Sequence, residues 1–207
     1  MIIKTKKENL IKGLQRVVGV ITTKNTLPIL SNILIQTKEK HLELVATDLD
    51  VGITTDIDVE IIEEGAITIP AKKFTDIVKE LPEAAITITT KKNYAVNIEC
   101  ENTFFKIMGI PKEEFPKLPN PINKNKTVLP QNILKEMLMM TFFAVSHDET
   151  RYVLNGILFV LKENKITLVA TDGRMLAIIT KGTSLPKDIN IKAVVPTKAI
   201  QEVNRAI

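Results

Sequence analysis

Leu44-Val-Ala-Thr-Asp48 returns as Leu168-Val-Ala-Thr-Asp172, 124 residues further along the chain. Leu30-Ser-Asn-Ile-Leu-Ile35 meets Leu154-Asn-Gly-Ile-Leu-Phe159 at the same offset, and Leu10, Leu14 and Val18 meet Leu134, Leu138 and Phe142. Ile69-Pro-Ala-Lys-Lys-Phe74 then aligns with Val195-Pro-Thr-Lys-Ala-Ile200 at an offset of 126, which one short insertion explains. Four co-linear matches at nearly one spacing mark an internal duplication. Its period exceeds the roughly 20–50 residues of solenoid repeats, so each copy is the size of a domain.

The first copy is placed at 1–120 and the second at 127–207, joined by a linker at 121–126. Phe115-Pro-Lys-Leu-Pro-Asn-Pro121 puts three prolines in seven residues ahead of that linker, which predicts extended chain. The second copy reaches only the equivalent of position 81 in the first. It is therefore expected to be an incomplete domain.

Within one copy the apolar spacing changes from helical to alternating. Leu10, Leu14, Val17, Val18 and Ile21 predict a helix over 8–21. Strands are expected from Pro28 to Ile35, over 41–46, over 51–57 and at 67–69. Pro70 stands where a helix can begin without its N–H, and Leu81-Pro82 ends that helix. Three further strands are expected at 86–89, 94–98 and 104–108. The second copy repeats the scheme, with a helix over 130–144, strands near 153–161, 165–171, 174–180 and 191–195, and a helix over 197–206. The fold class is α+β, a βαβββαβββ-like module of two helices on antiparallel sheet.

Composition narrows the function. The chain has 207 residues, 44% hydrophobic and 25% charged, enough to bury a core. Its net charge of +4 permits a polyanionic partner without requiring one. A single cysteine, Cys100, excludes a disulfide framework and a cysteine-rich zinc site, and His41 and His147 are too few for a histidine metal centre. Met1-Ile-Ile-Lys-Thr-Lys-Lys reaches charge too early for a secretory leader, and no apolar run nears the ~20 residues that span a bilayer. A cytoplasmic protein is expected, and the sequon Asn125-Lys-Thr127 is discounted with it.

Several chemical readings compete. Asp48, Asp50 and Asp172 could hold a metal, but their equivalent positions in the two copies favour hairpin-turn chemistry. Ser146-His147-Asp148-Glu149 contains acid–base groups, yet sequence neighbours seldom converge on one substrate atom, so a polar loop is expected. Glu99 and Glu101 flank Cys100 and should raise its thiol pKa. No phosphate-binding glycine loop or zinc spacing is present. Bases stand off the apolar stripes of both helices in the first copy: Lys12 and Arg16 on one, Lys72, Lys73 and Lys79 on the other. The second copy offers Lys135, Lys198 and Arg205.

Taken in order, Thr26-Leu-Pro-Ile-Leu30 with Asn32, Ala46-Thr-Asp-Leu-Asp50, Ile69-Pro-Ala-Lys-Lys-Phe74, Phe104-Phe-Lys-Ile…Pro111…Phe115-Pro, His147-Asp-Glu-Thr-Arg-Tyr152, Leu154-Asn-Gly-Ile-Leu-Phe159 and Ala170-Thr-Asp-Gly173 resemble the bacterial sliding clamp, the β subunit of DNA polymerase III. The resemblance covers essentially the whole chain. It implies a homodimeric head-to-tail ring of subunits with three similar domains, helices lining the hole, of which the third domain is absent here. It implies a non-catalytic processivity factor without metal or cofactor, which encircles double-stranded DNA and tethers the replicative polymerase. By the resemblance, Lys24, Lys72, His147, Arg151 and Tyr152 face DNA, and Asp148 is a departure that should repel phosphate. Leu154, Thr171, Gly173, Arg174, Met175 and Leu176 match a pocket that docks short peptides of the polymerase, the clamp loader and repair proteins. Arg174-Met175 departs from the family's usual aromatic or histidine followed by arginine. The alternative reading is a peptide-binding scaffold that does not encircle DNA.

Overall fold

The structure, a computed structural model, describes residues 1–21, 27–119, 127–148, 150–184 and 189–207. The chain divides into two compact units, Met1–Pro119 and Asn120–Ile207.

The first unit runs β1 (Ile2–Lys6), α1 (Lys7–Val17), β2 (Asn32–Lys38), β3 (His41–Thr47), β4 (Gly52–Asp58), β5 (Glu60–Glu63), β6 (Ala66–Pro70), α2 (Ala71–Glu80), β7 (Ala85–Thr90), β8 (Ala95–Cys100) and β9 (Thr103–Met108). Two sheets form, β5-β1-β7-β8-β9 and β4-β3-β2-β6. Helix α1 buries Leu10, Leu14 and Val17, and α2 buries Phe74, Ile77 and Val78. These side chains share one core with Ile3, Ile86, Ile88, Val96 and Ile98 of the first sheet and Ile33, Ile35, Leu42, Leu44 and Ile69 of the second. Each strand contributes alternate residues, as the two-residue pleat requires. Gly13 lets α1 lie close to the second sheet: a Cβ there would sit 2.6 Å from Ile57 Cγ2 and 2.8 Å from Leu44 Cδ1.

The second unit runs α3 (Gln131–Met139), β10 (Gly156–Lys162), β11 (Lys165–Thr171), β12 (Leu176–Gly182), β13 (Ile191–Pro196) and α4 (Thr197–Ala206). Its sheet order, β12-β11-β10-β13, is that of β4-β3-β2-β6. The register repeats as well. Leu34 faces Val45 and Leu158 faces Val169; Thr47 faces Gly52 and Thr171 faces Leu176, all 124 residues on. Ile33 faces Ile69 where Ile157 faces Val195, so the partner strand has moved by 126. The insertion therefore lies between β12 and β13. A second core gathers Met137 and Leu138 of α3, Ile157, Ile166, Leu168 and Ala177 of the sheet, and Ile200 of α4.

The elements differ from the sequence expectation in instructive places. Pro28 starts a 3₁₀ turn, Pro28–Ser31, and the strand begins only at Asn32, because the fixed φ of proline suits a helical first turn. Helix α1 ends at Val17 and tightens into the 3₁₀ turn Val18–Val20, where β-branched residues surround a glycine. Helix α3 stops at Met139. Thr141 Oγ1 donates back to Met137 O (2.9 Å), and the 3₁₀ turn Phe142–Ala144 follows. Strands β10 and β12 start at Gly156 and Leu176, later than expected. Strand β5 was not legible: Glu60-Ile-Ile-Glu63 is a four-residue edge strand with too few alternations. The expected 121–126 linker lies outside the described residues.

Candidate functional site

The two copies of Thr-Asp build the same turn. Asp48 Oδ1 accepts from the N–H groups of Asp50 (3.2 Å) and Val51 (2.8 Å); Asp172 Oδ1 accepts from Arg174 (2.8 Å) and Met175 (2.7 Å). Thr47 Oγ1 donates to Val51 O and accepts from Leu49 N–H, and Thr171 Oγ1 donates to Met175 O and accepts from Gly173 N–H. The residue after each aspartate has positive φ, +81° at Leu49 and +90° at Gly173. Both aspartates thus serve their hairpins, as the turn reading anticipated. Among the described residues no group of three or more His, Cys, Asp or Glu side chains could hold a metal ion.

The second turn meets the loop 145–155. Ser146 N–H donates to Leu154 O (3.0 Å), Leu154 N–H donates to Arg151 O (2.8 Å), and Asp148 N–H donates to Ser146 Oγ (3.1 Å). Asp148 Oδ1 accepts from Thr150 through both its hydroxyl (2.6 Å) and its N–H (3.0 Å), and Asp148 Oδ2 lies 3.5 Å from Arg151 Nε. Asn155 Oδ1 accepts from Thr197 Oγ1 (2.6 Å), tying the loop to the start of α4. The Thr150 bonds, aided by Arg151, hold the Asp148 carboxyl below the usual carboxylate range. The N–H groups of Met175 and Arg174 do the same for Asp172. Both shifts arise because hydrogen bonds favour the ionised form.

Loop and turn enclose a cavity of about 450 Å³, lined by Val145, Ser146, His147, Asp148, Arg151, Asp172, Gly173 and Arg174. Of the residues expected to face DNA, His147 and Arg151 line it; Tyr152 is 85% exposed and does not. Of the expected peptide-pocket residues, Gly173 and Arg174 line it. Leu154 is half-buried in the loop, Thr171 closes the turn, and Met175 and Leu176 are exposed beside it. Two sets separated in the sequence therefore share one concavity. The sequence reading placed Asp148 and Asp172 in a loop and a turn; it did not bring them to one cavity, and Val145 and Ser146 were not singled out by it.

In the first unit, Lys72, Lys73 and Lys79 are exposed on α2. None pairs with a carboxylate among the described residues, whereas Lys12 on α1 is tied to Glu8. Arg16 reaches Thr55 Oγ1 at 3.4 Å. Lys24 lies outside the described residues. Cys100 is buried, and its thiol is pushed up by burial first and by Glu101 second. No helix among the described residues is long and apolar enough to cross a membrane.

Comparison with known proteins gives a consistent picture. The chain is 37% identical over 195 residues to the beta sliding clamp of Chlamydia pneumoniae, covering 94% of this chain and 52% of that relative. It is 34% identical over 204 residues to the beta sliding clamp of Escherichia coli K12, covering 97% and 55%. The crystal structure of the DNA polymerase III subunit beta from Pseudomonas aeruginosa superposes with a TM-score of 0.93 at 32% identity, over 99% of this chain and 56% of that one. The sliding clamp of Bacillus subtilis gives 0.94 at 28% identity, over 99% and 56%. The chain thus spans about half the length of these relatives. The model of the DNA polymerase III beta subunit N-terminal domain matches residues 1–119 and that of its central domain matches 128–207, so the chain belongs to the DNA polymerase III beta subunit family.

Proposed function

We propose that this chain acts in a DNA sliding clamp, a non-catalytic cytoplasmic ring that encircles duplex DNA as a homodimer and holds the replicative polymerase to its template. The observation that carries the reading is the tandem module itself, two copies of one sheet-and-helix unit in matching register, with an α2 that turns to solvent three lysines that pair with no carboxylate among the described residues. A protein that slides must hold phosphates without reading base edges. Lysine suits that task as a mobile point charge, lacking arginine's planar fork. Lys72 stands first in this set, and Lys24, His147, Arg151 and Tyr152 complete the proposed DNA-facing residues.

The domains of function are proposed as 1–120 and 127–207. The second carries the partner-peptide pocket, formed around Leu154, Thr171, Gly173, Arg174, Met175 and Leu176. Its occupants are short peptides of the polymerase, clamp loader and repair proteins. The exposure of Met175 and Leu176 next to a polar cavity supports that assignment.

The test is topological. The protein is loaded on a nicked circular plasmid by a bacterial clamp loader with ATP and passed through a sizing column. It should travel with the circle and leave once a restriction enzyme linearises the DNA. Equal loss from both forms would defeat encirclement. Peptide binding that survived such a result would leave the scaffold reading in its place.

A further inference from the structure

We propose that the first unit carries a docking face for extended apolar peptides, and that the chain's own segment Ile110–Leu118 occupies it. The inference concerns the first unit alone and is independent of the pocket on the second.

The outward face of sheet β4-β3-β2-β6 should be wet. Leu42, Leu44 and Ala46 of β3 point into the core, as do Ile67 and Ile69 of β6, so Val45 and Thr68 point away from it. Both are nevertheless buried, Val45 at 5% and Thr68 at 0% exposure. The duplication supplies the comparison. Val194, the counterpart of Thr68, is 40% exposed, and Leu176 and Ile178, the counterparts of Gly52 and Thr54, are 64% and 59% exposed. One sheet design therefore has its outer face covered in the first unit and exposed in the second.

The cover is the stretch that follows β9. Ile110 N–H donates to Thr68 O (2.9 Å), Thr68 N–H donates to Ile110 O (3.0 Å), and Thr68 Oγ1 donates to the same carbonyl (2.9 Å). That adds one residue of strand to the edge of β6, which is how an extended peptide engages a sheet edge. At the opposite edge, Leu118 lies against Gly52 of β4: a Cβ on Gly52 would sit 2.9 Å from Leu118 Cδ2 and 3.0 Å from Leu118 Cδ1. Between these two tethers Phe115 is buried, yet it lies outside the core of the unit. The segment thus runs from β6 to β4 with one backbone pairing and two apolar anchors, Phe115 and Leu118. Gly52 stands where the second copy has Leu176, so the side chain missing from β4 is the space that Leu118 fills. A tethered ligand of this kind sees its site at an effective concentration of about millimolar, which keeps free peptides off.

The experiment measures fluorescence anisotropy of a labelled peptide spanning Lys112–Pro119, added to the full chain. Phe115→Ser with Leu118→Ser empties both anchor sites and leaves Ile110 in place. The peptide should bind this variant about tenfold more tightly than the unaltered chain, whose own segment competes at its tethered concentration. Gly52→Leu added to the pair should remove the gain, because the new side chain fills the Leu118 site. A peptide carrying serine at both anchors should show no gain either. Binding to the second unit is common to all these chains and cancels. Equal affinity for the unaltered and doubly substituted chains overturns the proposal, as does a gain that survives Gly52→Leu. If the double variant fails to fold, Gly52→Leu alone decides. By expelling Leu118 it should speed tryptic cleavage at Lys117 about tenfold, read by mass spectrometry, and an unchanged rate overturns the proposal.

Discussion

Gly173 and Leu49 occupy the same position in two copies of one turn, at φ +90° and +81°. A leucine there bears roughly 1 kcal/mol of left-handed strain that glycine avoids. The hydrogen bonds of Thr47 and Asp48 hold the shape regardless. Gly173→Val, with its branched Cβ, should therefore cost the second unit about 1–2 kcal/mol, read as a lower midpoint in chemical denaturation. Asp172 carries a pH signature in the same turn. Its folded pKa lies below the unfolded value, so its contribution is present above the unfolded carboxylate range and fades as pH falls through the folded pKa. Asp172→Asn should flatten the loss of stability below about pH 4, measured by denaturant titration at a series of pH values. Across the cavity, Asp148 neutralises Arg151 at 3.5 Å. If Arg151 faces DNA as proposed, Asp148→Asn should tighten duplex binding about two- to threefold and steepen the salt dependence, since one more phosphate would be neutralised. Unchanged affinity and slope would remove Arg151 from the DNA-facing set.

At the scale of elements, close packing outweighs propensity in α1. Alanine is the better helix former by about 1 kcal/mol, yet Gly13→Ala would drive a methyl into Ile57 and Leu44. The variant should lose a net 1–2 kcal/mol or so in thermal denaturation, the cost of overpacking exceeding the helical gain. The helices were legible because a few buried side chains define their stripes: Leu10, Leu14 and Val17 in α1, Phe74, Ile77 and Val78 in α2. Their ends were less so. Val18 to Val20 and Phe142 to Ala144 keep apolar spacing while the backbone tightens to 3₁₀, and spacing alone cannot distinguish the two. The cavity was hardest to foresee. Its residue types were visible, but His147 and Arg151 meet Gly173 and Arg174 at one cavity only through the fold, which no local pattern encodes. The raised Cys100 thiol pKa was expected from its acidic neighbours, although burial is the larger cause and Glu101 the second.

The molecule as a whole has two separate cores of unequal size. The first gathers 25 buried residues and draws on two sheets; the second gathers 11 around one, among the described residues. Calorimetry should resolve two transitions, with the second unit melting first. The equivalent pair Leu44 and Leu168, both fully buried, assigns them: Leu168→Ala should lower only the earlier transition and Leu44→Ala only the later, each removing about 2–5 kcal/mol. One transition lowered by both changes would mean that the units unfold together. The duplication behind these units was readable because Leu-Val-Ala-Thr-Asp survived intact, and the ladders then reproduced its spacing without slippage. The length difference that did accumulate has a telling place. The two extra residues fall between β12 and β13, in a connection and not in a ladder, so no strand of the second copy has its inward face turned out. Growth there leaves the oily side of each strand indoors, which is how a descendant of the ancestral gene could carry it.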